Sequence, residues 1–189
     1  MHWLIAADQA WTLWINQHHS LLLDVVMVPV AYAGEVGIGW LLVAGLMLGL
    51  GRRRERLLAL LFLVVLAITD MLLCAVLREA WPRPRPYMYL PGIRRIGVPW
   101  DTTSFPSAHA YLWVEATVLF GAAYRRAFWP LVALSLITFY SRPYCGMHHV
   151  LDVLGGIALG LPVAFGELWL ATRWGLIAPP APPADAEKG

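Results

Sequence analysis

Charged residues are scarce in this chain. Of its 189 residues, 14% are charged and 59% are hydrophobic, whereas a typical soluble domain carries about 25% charged residues. The apolar residues stand in long blocks, and the mean hydropathy is +0.61. This shortage of charge argues against a soluble globular protein and predicts a bundle of membrane-embedded helices.

Cysteine is nearly absent as well. The chain has two cysteines, Cys74 and Cys145, which form no CxxC motif and share no spacing typical of metal ligands. Neither a zinc site nor a disulfide framework is expected, and both thiols are predicted to be unpaired. No acidic cluster of the kind that binds magnesium lies near the polar segments described below, so no metal or other cofactor is expected.

The N-terminus lacks the basic start of a cleavable signal peptide, and Asp8 and Gln9 interrupt its apolar run. Residues 3–15 contain several tryptophans and predict an amphipathic helix at the membrane interface, although a first buried helix fits the pattern equally well. At the other end, residues 179–189 are rich in proline and alanine and are expected to be disordered. Residues 1–178 are expected to form a single membrane-embedded domain.

About six apolar segments are candidate transmembrane helices of an all-α bundle. Several are shorter than the roughly 20 residues that cross a bilayer upright. We therefore expect their ends to extend into flanking residues, or the bilayer to thin around them. The segments are residues 21–33, 36–50, 57–77, 108–124, 127–140 and 150–172.

Two short basic connections predict which helix ends face the cytoplasm. Residues 51–56 and 124–126 are rich in arginine, which favours the cytoplasmic side of a bacterial inner membrane. Counting spans from these connections places both chain termini in the cytoplasm and the segments 78–107 and 141–149 on the opposite side. The segments with the most polar chemistry are therefore expected together on one face, towards the periplasm or the cell exterior.

The first polar segment contains Arg78 at the end of an apolar run and Arg85 in a stiff, proline-rich stretch. Guanidinium groups at a membrane surface suit a phosphate, and arginine near hydrocarbon usually has a partner. Nonspecific binding of lipid headgroups explains these arginines as well. Other arginines in the segment are candidates for attracting an anionic substrate, namely Arg83, Arg94 and Arg95.

The second polar segment, residues 104–109, leads directly into an apolar run. Proline and serine just before a helix are start signals, so Ser107 and the first amides of the next helix are expected at its N-terminus. Free N–H groups and the helix dipole bind anions there. His109 lies in that first turn, within reach of a bound anion, although a histidine at the end of a span can also be purely structural.

The third polar segment places His148 and Asp152 four residues apart, on one face of a helix. Asp152 is then expected to accept a hydrogen bond from one imidazole nitrogen and to orient the other outward, as in a nucleophilic or general-base device. The pair alone is a weak signal and fits a structural role too. Arg142, a few residues earlier, and the apolar run that follows strengthen it.

In combination, the three segments resemble the signature of the type 2 phosphatidic acid phosphatase (PAP2) family. That signature reads Lys-x6-Arg-Pro, then Pro-Ser-Gly-His, then Ser-Arg-x5-His-x3-Asp. All three parts occur here in order, over residues 78–152. The matching residues are Arg78, Arg85, Pro86, Pro106, Ser107, His109, Ser141, Arg142, His148 and Asp152.

The sequence departs from this signature at two positions. Arg78 stands where the family usually has lysine, so that a planar guanidinium replaces a point charge. Ala108 stands where the family usually has glycine, and its methyl group is expected to narrow the approach of a phosphate to the helix N-terminus. Neither departure removes a group that performs covalent chemistry.

The resemblance implies a metal-independent lipid phosphatase. In this family's mechanism His148 attacks phosphorus and forms a phosphohistidine, and Asp152 orients its ring. His109 protonates the leaving oxygen and then helps to activate water. The groups implied to hold the phosphate oxygens, together with backbone amides, are Arg78, Arg85, Arg142 and Ser107.

The expected substrate is a membrane lipid phosphate, and no nucleic-acid partner is expected. By family analogy an isoprenyl diphosphate such as undecaprenyl diphosphate, or phosphatidylglycerol phosphate, ranks before phosphatidic acid and the phosphates of lipid A. A lipid-to-lipid phosphotransferase needs the same residues, and a headgroup-binding protein without catalysis is the non-enzyme alternative. Four intramembrane acids match no part of the signature and are expected to form interhelical hydrogen bonds. They are Asp24, Asp70, Glu115 and Glu167.

Overall fold

The computed structural model describes residues 2–34, 38–99 and 103–178. Within them the chain forms helices and loops without a β-strand, which confirms the expected all-α architecture. The tail, residues 179–189, lies outside the described residues, as does the start of the predicted span 36–50. The helices are α1 (His2–Gln17), α2 (Leu21–Gly34), α3 (Ile38–Leu50), α4 (Arg53–Ile68), α5 (Ala75–Ala80), α6 (Pro86–Tyr89), α7 (Ala108–Ala123), α8 (Phe128–Tyr144) and α9 (Val150–Arg173).

The longest helix is built from α4 and α5, which a π-helical turn, Thr69–Cys74, joins into one run of 28 residues, Arg53–Ala80. At 1.5 Å per residue this run is about 42 Å long, more than the bilayer's hydrocarbon core of about 30 Å. α9, with 24 residues, is also long and apolar enough to cross a membrane. These two helices are the clear candidate spans among the described residues.

The remaining apolar helices are shorter. α7 has 16 residues and α8 has 17, and the apolar stretches of α2 and α3 are Leu21–Tyr32 and Gly39–Leu50. An upright span needs roughly 20 residues. Among the described residues, two helices are therefore long and apolar enough to cross a membrane, and a bundle of about six spans is not confirmed.

α7 lies in the middle of the bundle, between α8 and α9. Its buried residues lie all around its circumference, which is typical of a helix enclosed by others. α9 comes close because it presents glycines. A Cβ on Gly156 would lie 2.5 Å from the carbonyl oxygen of Ser107, and a Cβ on Gly160 would lie 2.9 Å from the Cα of Tyr111. Small residues allow this kind of close helix association in membranes, and here they hold the start of α7 beside the start of α9.

α1 turns its polar residues towards the protein. Asp8, Thr12 and Asn16 recur every four residues and are buried. A helix on the surface of a soluble protein shows the opposite arrangement, whereas outward aromatic residues are expected at a membrane interface. The pattern fits an interfacial helix better than a first buried helix. The exposed aromatic residues of α1 are Trp3, Trp11 and Trp14.

The expectation that the N-terminus lies across the membrane from the polar loops is wrong. Near the end of α1, Nδ2 of the Asn16 side chain donates to the carbonyl oxygens of Arg94, at 2.8 Å, and Tyr144, at 2.7 Å. Asp24 on α2 contacts the side chains of the same two residues. α2 is about 21 Å long, too short to cross a bilayer. Counting it as a full span placed α1 on the opposite face from the polar loops that it contacts.

We expect Gly160→Ala to destabilise the fold, because the new Cβ would press on the Tyr111 Cα at 2.9 Å and carbonyl oxygen at 3.0 Å. Overpacking of this kind costs about 1–3 kcal/mol. The matched control is Gly166→Ala on the same helix, where a Cβ has no atom within 4 Å. The midpoints of thermal unfolding in detergent compare the two variants. Equal midpoints would show that the close α7–α9 contact does not determine the stability of the fold.

Candidate active site

The three polar segments meet at a cavity of about 310 Å³. Both candidate catalytic histidines line it, His109 and His148, with their ring centroids 6.3 Å apart. The three arginines predicted to bind phosphate line it too, so residues distant in the sequence converge on one space. The complete lining is Asp70, Arg78, Arg85, Thr103, Pro106, Ala108, His109, Arg142, Met147 and His148.

Ser107 lies directly beside the cavity, at the start of α7. Its backbone is extended, with φ −72° and ψ 114°, and its amide donates to the carbonyl oxygen of Asp152 at 3.0 Å. The Ser107 hydroxyl is buried and has no hydrogen-bond partner among the described residues. No side chain in the described part of the chain caps α7, so its first amides retain the anion-binding character of a helix N-terminus. Ala108, with its extra methyl group, lines the cavity itself.

His148 is held in one tautomer by its two ring contacts. Its Nε2 lies 3.2 Å from Nη1 of Arg85, and its Nδ1 lies 2.8 Å from the carbonyl oxygen of Ser104. A guanidinium can only donate and a carbonyl can only accept. Nε2 therefore carries the lone pair and Nδ1 carries the hydrogen, which leaves Nε2 as the nucleophilic atom on the cavity wall.

The ring of His148 is also kept neutral. It is 3% exposed, and burial lowers its pKa from 6.5 to about 4, against the attraction of the Asp152 carboxylate. The positive charges of Arg85 and Arg142 contribute to this lowering of the pKa. A neutral imidazole at physiological pH is the form that can attack phosphorus.

Asp152 does not make the hydrogen bond to His148 that its spacing predicts. Its Oδ2 lies 3.8 Å from the His148 Nδ1, beyond hydrogen-bonding distance. Asp152 instead accepts from Nη1 of Arg83 at 2.7 Å, from the His149 amide at 2.7 Å and from the Ser104 hydroxyl. Its carboxylate is fully buried and does not line the cavity, so it stabilises the structure behind His148.

The start of α9 explains this difference. A hydrogen bond between residues four apart needs both on one helix, but α9 begins at Val150, after His148. His149 is the N-cap, and it forms a capping box with Asp152 at the third helical position. The Asp152 carboxylate therefore accepts hydrogen bonds at the start of α9. Nδ1 of His148 donates instead to the carbonyl oxygen of Ser104 in the preceding polar segment.

His149 faces away from the cavity. Its Nε2 lies 2.9 Å from the hydroxyl of Tyr89, and its Nδ1 lies 3.2 Å from Oδ2 of Asp152. The ring is fully buried between these partners. Of the two neighbouring histidines, the one selected by motif spacing, His148, is the one on the cavity wall.

Arg85 and Arg142 are held by backbone carbonyl groups. Nη1 of Arg85 donates to the Met147 oxygen at 3.0 Å, and Nη1 of Arg142 donates to the Ala31 oxygen at 3.4 Å. Both side chains are almost completely buried. Burial lowers the pKa of Arg85, but a guanidinium stays charged in proteins. Two desolvated cations on a small cavity make a strong site for an anion.

Asp70 is a cavity residue that the motif did not identify. Its Oδ1 accepts from Nη2 of Arg78 at 2.8 Å and from the Tyr111 hydroxyl at 2.8 Å. The bond from Tyr111 on α7 confirms the expected interhelical hydrogen bond. The bond from Arg78 shows in addition that Asp70 holds one of the predicted phosphate ligands.

The π turn brings Asp70 and Arg78 to the same side of their helix. Eight residues of regular α-helix rotate by about 800°, which leaves two side chains about 80° apart. A π turn accommodates one extra residue, so the eight residues cover the rotation of seven, about 700°, and the side chains come within about 20° of alignment. Arg78 also points back towards the helix N-terminus, as helical side chains do.

The other intramembrane acids differ from one another. Asp24 accepts from the hydroxyl of Tyr144 on α8 at 2.5 Å, so the expected interhelical bond is present. Glu115 and Glu167 are fully buried. The Thr69 side chain in the π turn interacts with the Glu115 carboxyl group, whereas no residue of the described part hydrogen-bonds to that of Glu167. The expectation is therefore not met for Glu167.

From the sequence we expected Arg83 and Arg94 to attract an anionic substrate at the surface. Both instead form ion pairs with carboxylates of the protein. Arg83 is buried between the carboxylates of Asp8 and Asp152. Burial opposes its charge, but attraction to these two carboxylates outweighs burial and raises its pKa. Arg94 pairs with Asp24 at 2.6 and 2.9 Å. Both arginines tie the polar loops to other helices.

A family model for the PAP2 superfamily matches residues 58–175, more than half of the chain. Undecaprenyl-diphosphatase BcrC of Bacillus subtilis (strain 168) is 26% identical over 148 residues, which cover 78% of this chain and 75% of that protein. Dihydrosphingosine 1-phosphate phosphatase YSR3 of Saccharomyces cerevisiae is 33% identical over 112 residues, which cover 52% of this chain and 27% of that protein.

Two solved structures share the fold. The transmembrane PAP2-type phosphatidylglycerolphosphate phosphatase from Bacillus subtilis superposes with a TM-score of 0.75 and 24% identity, covering 92% of this chain and 88% of that one. Aquifex aeolicus LpxE superposes with a TM-score of 0.70 and 22% identity, covering 85% of this chain and 93% of that one. At these identities the likeness shows the fold alone.

We expect Asp70→Asn to raise KM by about fivefold, because the guanidinium of Arg78 loses the charged partner that orients it. The effect is modest because the ion pair is partly exposed. The matched control is Glu79→Gln, which removes an exposed carboxylate next to Arg78 in the sequence and outside the cavity. Steady-state phosphate release measures both. A lower KM in Asp70→Asn would show that Asp70 mainly repels the anionic substrate.

We expect the imidazole of His148 to remain neutral at pH 5.5, well above its pKa of about 4. Long-range 15N–1H spectra of histidine-labelled protein in detergent measure this, and the spectrum of His148→Asn identifies the resonance. Because the folded pKa lies below 6.5, the unfolded chain binds this proton more readily, so acidification from pH 6.5 towards 4 also destabilises the fold. Imidazolium shifts for His148 at pH 5.5 would contradict the buried neutral ring.

Proposed function

The chain belongs to the PAP2 superfamily, and from this premise we propose that it is an integral membrane phosphatase that hydrolyses a lipid phosphate or diphosphate through a phosphohistidine. The observation that carries the proposal is the state of His148. Its Nε2 is unprotonated, lines a cavity that contains three arginines, and stands across from a second histidine. This is the arrangement of a nucleophile, an anion site and an acid–base group.

Substrate binding prepares the nucleophile. The phosphate oxygens take up hydrogen bonds from the three cavity arginines, the Ser107 hydroxyl and the first amides of α7. Arg85 exchanges its contact with Nε2 of His148 for a phosphate oxygen. The lone pair of Nε2 is then free to face phosphorus, and the arginine charges balance the negative charge of the phosphoryl group.

In the first step Nε2 of His148 bonds to phosphorus as the bond from phosphorus to the leaving oxygen breaks. His109 gives its proton to that oxygen. The ring of His148 becomes cationic, and its Nδ1–H remains bonded to the Ser104 carbonyl oxygen at 2.8 Å. Asp152, at 3.8 Å from Nδ1, stabilises this charge through space.

In the second step a water molecule attacks the phosphohistidine. His109, now neutral, takes a proton from that water as the new oxygen bonds to phosphorus and the bond from phosphorus to Nε2 breaks. Inorganic phosphate leaves, and His148 returns to its neutral tautomer. The 6.3 Å between the ring centroids leaves room for a phosphoryl group between the two histidines.

The substrate is proposed to be an isoprenyl diphosphate such as undecaprenyl diphosphate, or phosphatidylglycerol phosphate. The relative named undecaprenyl-diphosphatase supports the first over three quarters of both chains, and the structural neighbour named phosphatidylglycerolphosphate phosphatase supports the second. The cavity is small, so the headgroup enters it while the lipid tails remain in the bilayer.

The proposed location is the inner membrane, with the cavity towards the periplasm or the cell exterior. The basic connections 51–56 and 124–126 lie at the other end of the bundle, where Arg54 donates to the carbonyl oxygens of Leu176 and Ala123. Arginine-rich ends favour the cytoplasm. In this orientation α1 lies on the outer side with the cavity, and the end of α9 lies inside.

Phosphate release by detergent-purified protein tests the proposal, with EDTA present and a panel of undecaprenyl diphosphate, phosphatidylglycerol phosphate, phosphatidic acid and lipid A. We expect release from one lipid and a loss of at least about a thousandfold in His148→Ala, because the nucleophile is gone. His18→Ala, which removes an exposed histidine outside the cavity, is the matched control.

Activity of His148→Ala within about tenfold of the parent protein would contradict a phosphohistidine, since loss of a nucleophile costs far more. A labelled acceptor lipid without free phosphate would identify a phosphotransferase that uses the same phosphoenzyme. Folded protein without either product would favour a headgroup-binding protein.

A further inference from the structure

We infer that α1 is a positioning element of the active site: Asp8 and Thr12 cap the first turn of α9 from outside that helix and so fix the segment that carries His148 and Asp152. This inference rests on the lipid phosphatase function proposed above and assigns a role in it to the N-terminal helix.

The first amides of α9 find their partners on α1. The Val150 amide donates to the Thr12 hydroxyl at 3.2 Å, and the Leu151 amide donates to Oδ1 of Asp8 at 2.9 Å. The first four amides of a helix have no partner within it, and those at a buried helix end must find one elsewhere. A carboxylate at this position also interacts favourably with the helix dipole.

A second connection runs from α1 to the buried carboxylate behind the nucleophile. Asp8 pairs through Oδ2 with Nη2 of Arg83, whose Nη1 donates to Oδ1 of Asp152 at 2.7 Å. The side chain of Arg83 is 10% exposed, that of Asp8 1% and that of Asp152 0%. In such surroundings removal of one carboxylate leaves the cation and its remaining partner imperfectly compensated.

A third connection reaches the neighbour of the nucleophile. The Gln9 side-chain amide donates to the Tyr89 hydroxyl at 3.1 Å, and this hydroxyl lies 2.9 Å from Nε2 of His149. Three residues of one helix thus contact the turn around His148 by separate routes. Because the outer side of α1 carries exposed tryptophans, the membrane interface that holds α1 also supports the geometry of the site.

A similar ion pair elsewhere provides a control. Asp24 on α2 pairs with Arg94 in the outer loop, as Asp8 on α1 pairs with Arg83. Both pairs tie an N-terminal helix to the polar loops. Only Arg83 continues to Asp152, so the two pairs separate support of the loops from positioning of the catalytic turn.

The experiment compares Asp8→Asn, Thr12→Val, Thr12→Ser and Asp24→Asn with the parent protein. We expect Asp8→Asn to lower kcat, and the rate of phosphohistidine formation in a single turnover, by about tenfold or more, because a small misplacement of reacting groups is costly. KM should change by less than about twofold, since the cavity arginines that bind the substrate are untouched. Thr12→Val should lower kcat, and Thr12→Ser should restore most of it.

Asp24→Asn is expected to lower the unfolding temperature while leaving kcat near the parent value. Hydrogen exchange of peptides covering residues 145–155 gives a readout that does not need activity. Exchange at the first amides of α9 should rise in Asp8→Asn and not in Asp24→Asn, because only Asp8 accepts from one of them.

The inference is overturned if folded Asp8→Asn keeps its kcat and its amide protection, or if Asp24→Asn loses kcat to the same extent. A parent protein that releases no phosphate from any lipid would contradict the proposed function instead. In that case the hydrogen-exchange comparison still decides whether α1 caps α9.

Discussion

One buried carboxylate, that of Asp152, organises the candidate active site. A charge removed from water is stable only when hydrogen bonds and opposite charge replace its hydration. Its donors come from three separate parts of the chain: Arg83 in the loop after α5, Ser104 before α7, and His149 at the start of α9. Because donors from all three polar segments bond to this one carboxylate, its hydrogen bonds hold the segments together. The cavity lies where the segments meet.

The same carboxylate also influences His148, the proposed nucleophile. The Ser104 hydroxyl donates to Asp152, and the Ser104 carbonyl oxygen accepts from Nδ1 of His148. One residue therefore links the carboxylate to the imidazole. That link fixes the tautomer, and burial keeps the ring neutral with a pKa of about 4. Asp152 therefore acts on His148 through Ser104 and through space at 3.8 Å, instead of through the direct hydrogen bond that the spacing predicts.

Motif spacing was sufficient to identify side chains on the cavity wall, but their contacts depend on where helices begin and how they turn. α9 starts at Val150, too late for a helical pair that includes His148. A π turn leaves no mark in hydrophobic periodicity, so the approach of Asp70 was hidden. α2 has the composition of a span, and hydropathy does not show that it is held against the polar loops. The cavity residues named from the sequence are Arg78, Arg85, His109, Arg142 and His148.

Arg78, in the place where the family usually has lysine, is consistent with Asp70 on the same helix. A guanidinium has five N–H donors in a fixed plane, so Arg78 gives one to Asp70 and keeps others for a phosphate oxygen. A lysine ammonium is a compact point charge, and the carboxylate would compete with phosphate for it directly. The π turn, Asp70 and the arginine thus form one unit. An acidic side chain is compatible with the proposed phosphate site because it orients the cation that is proposed to bind the phosphate.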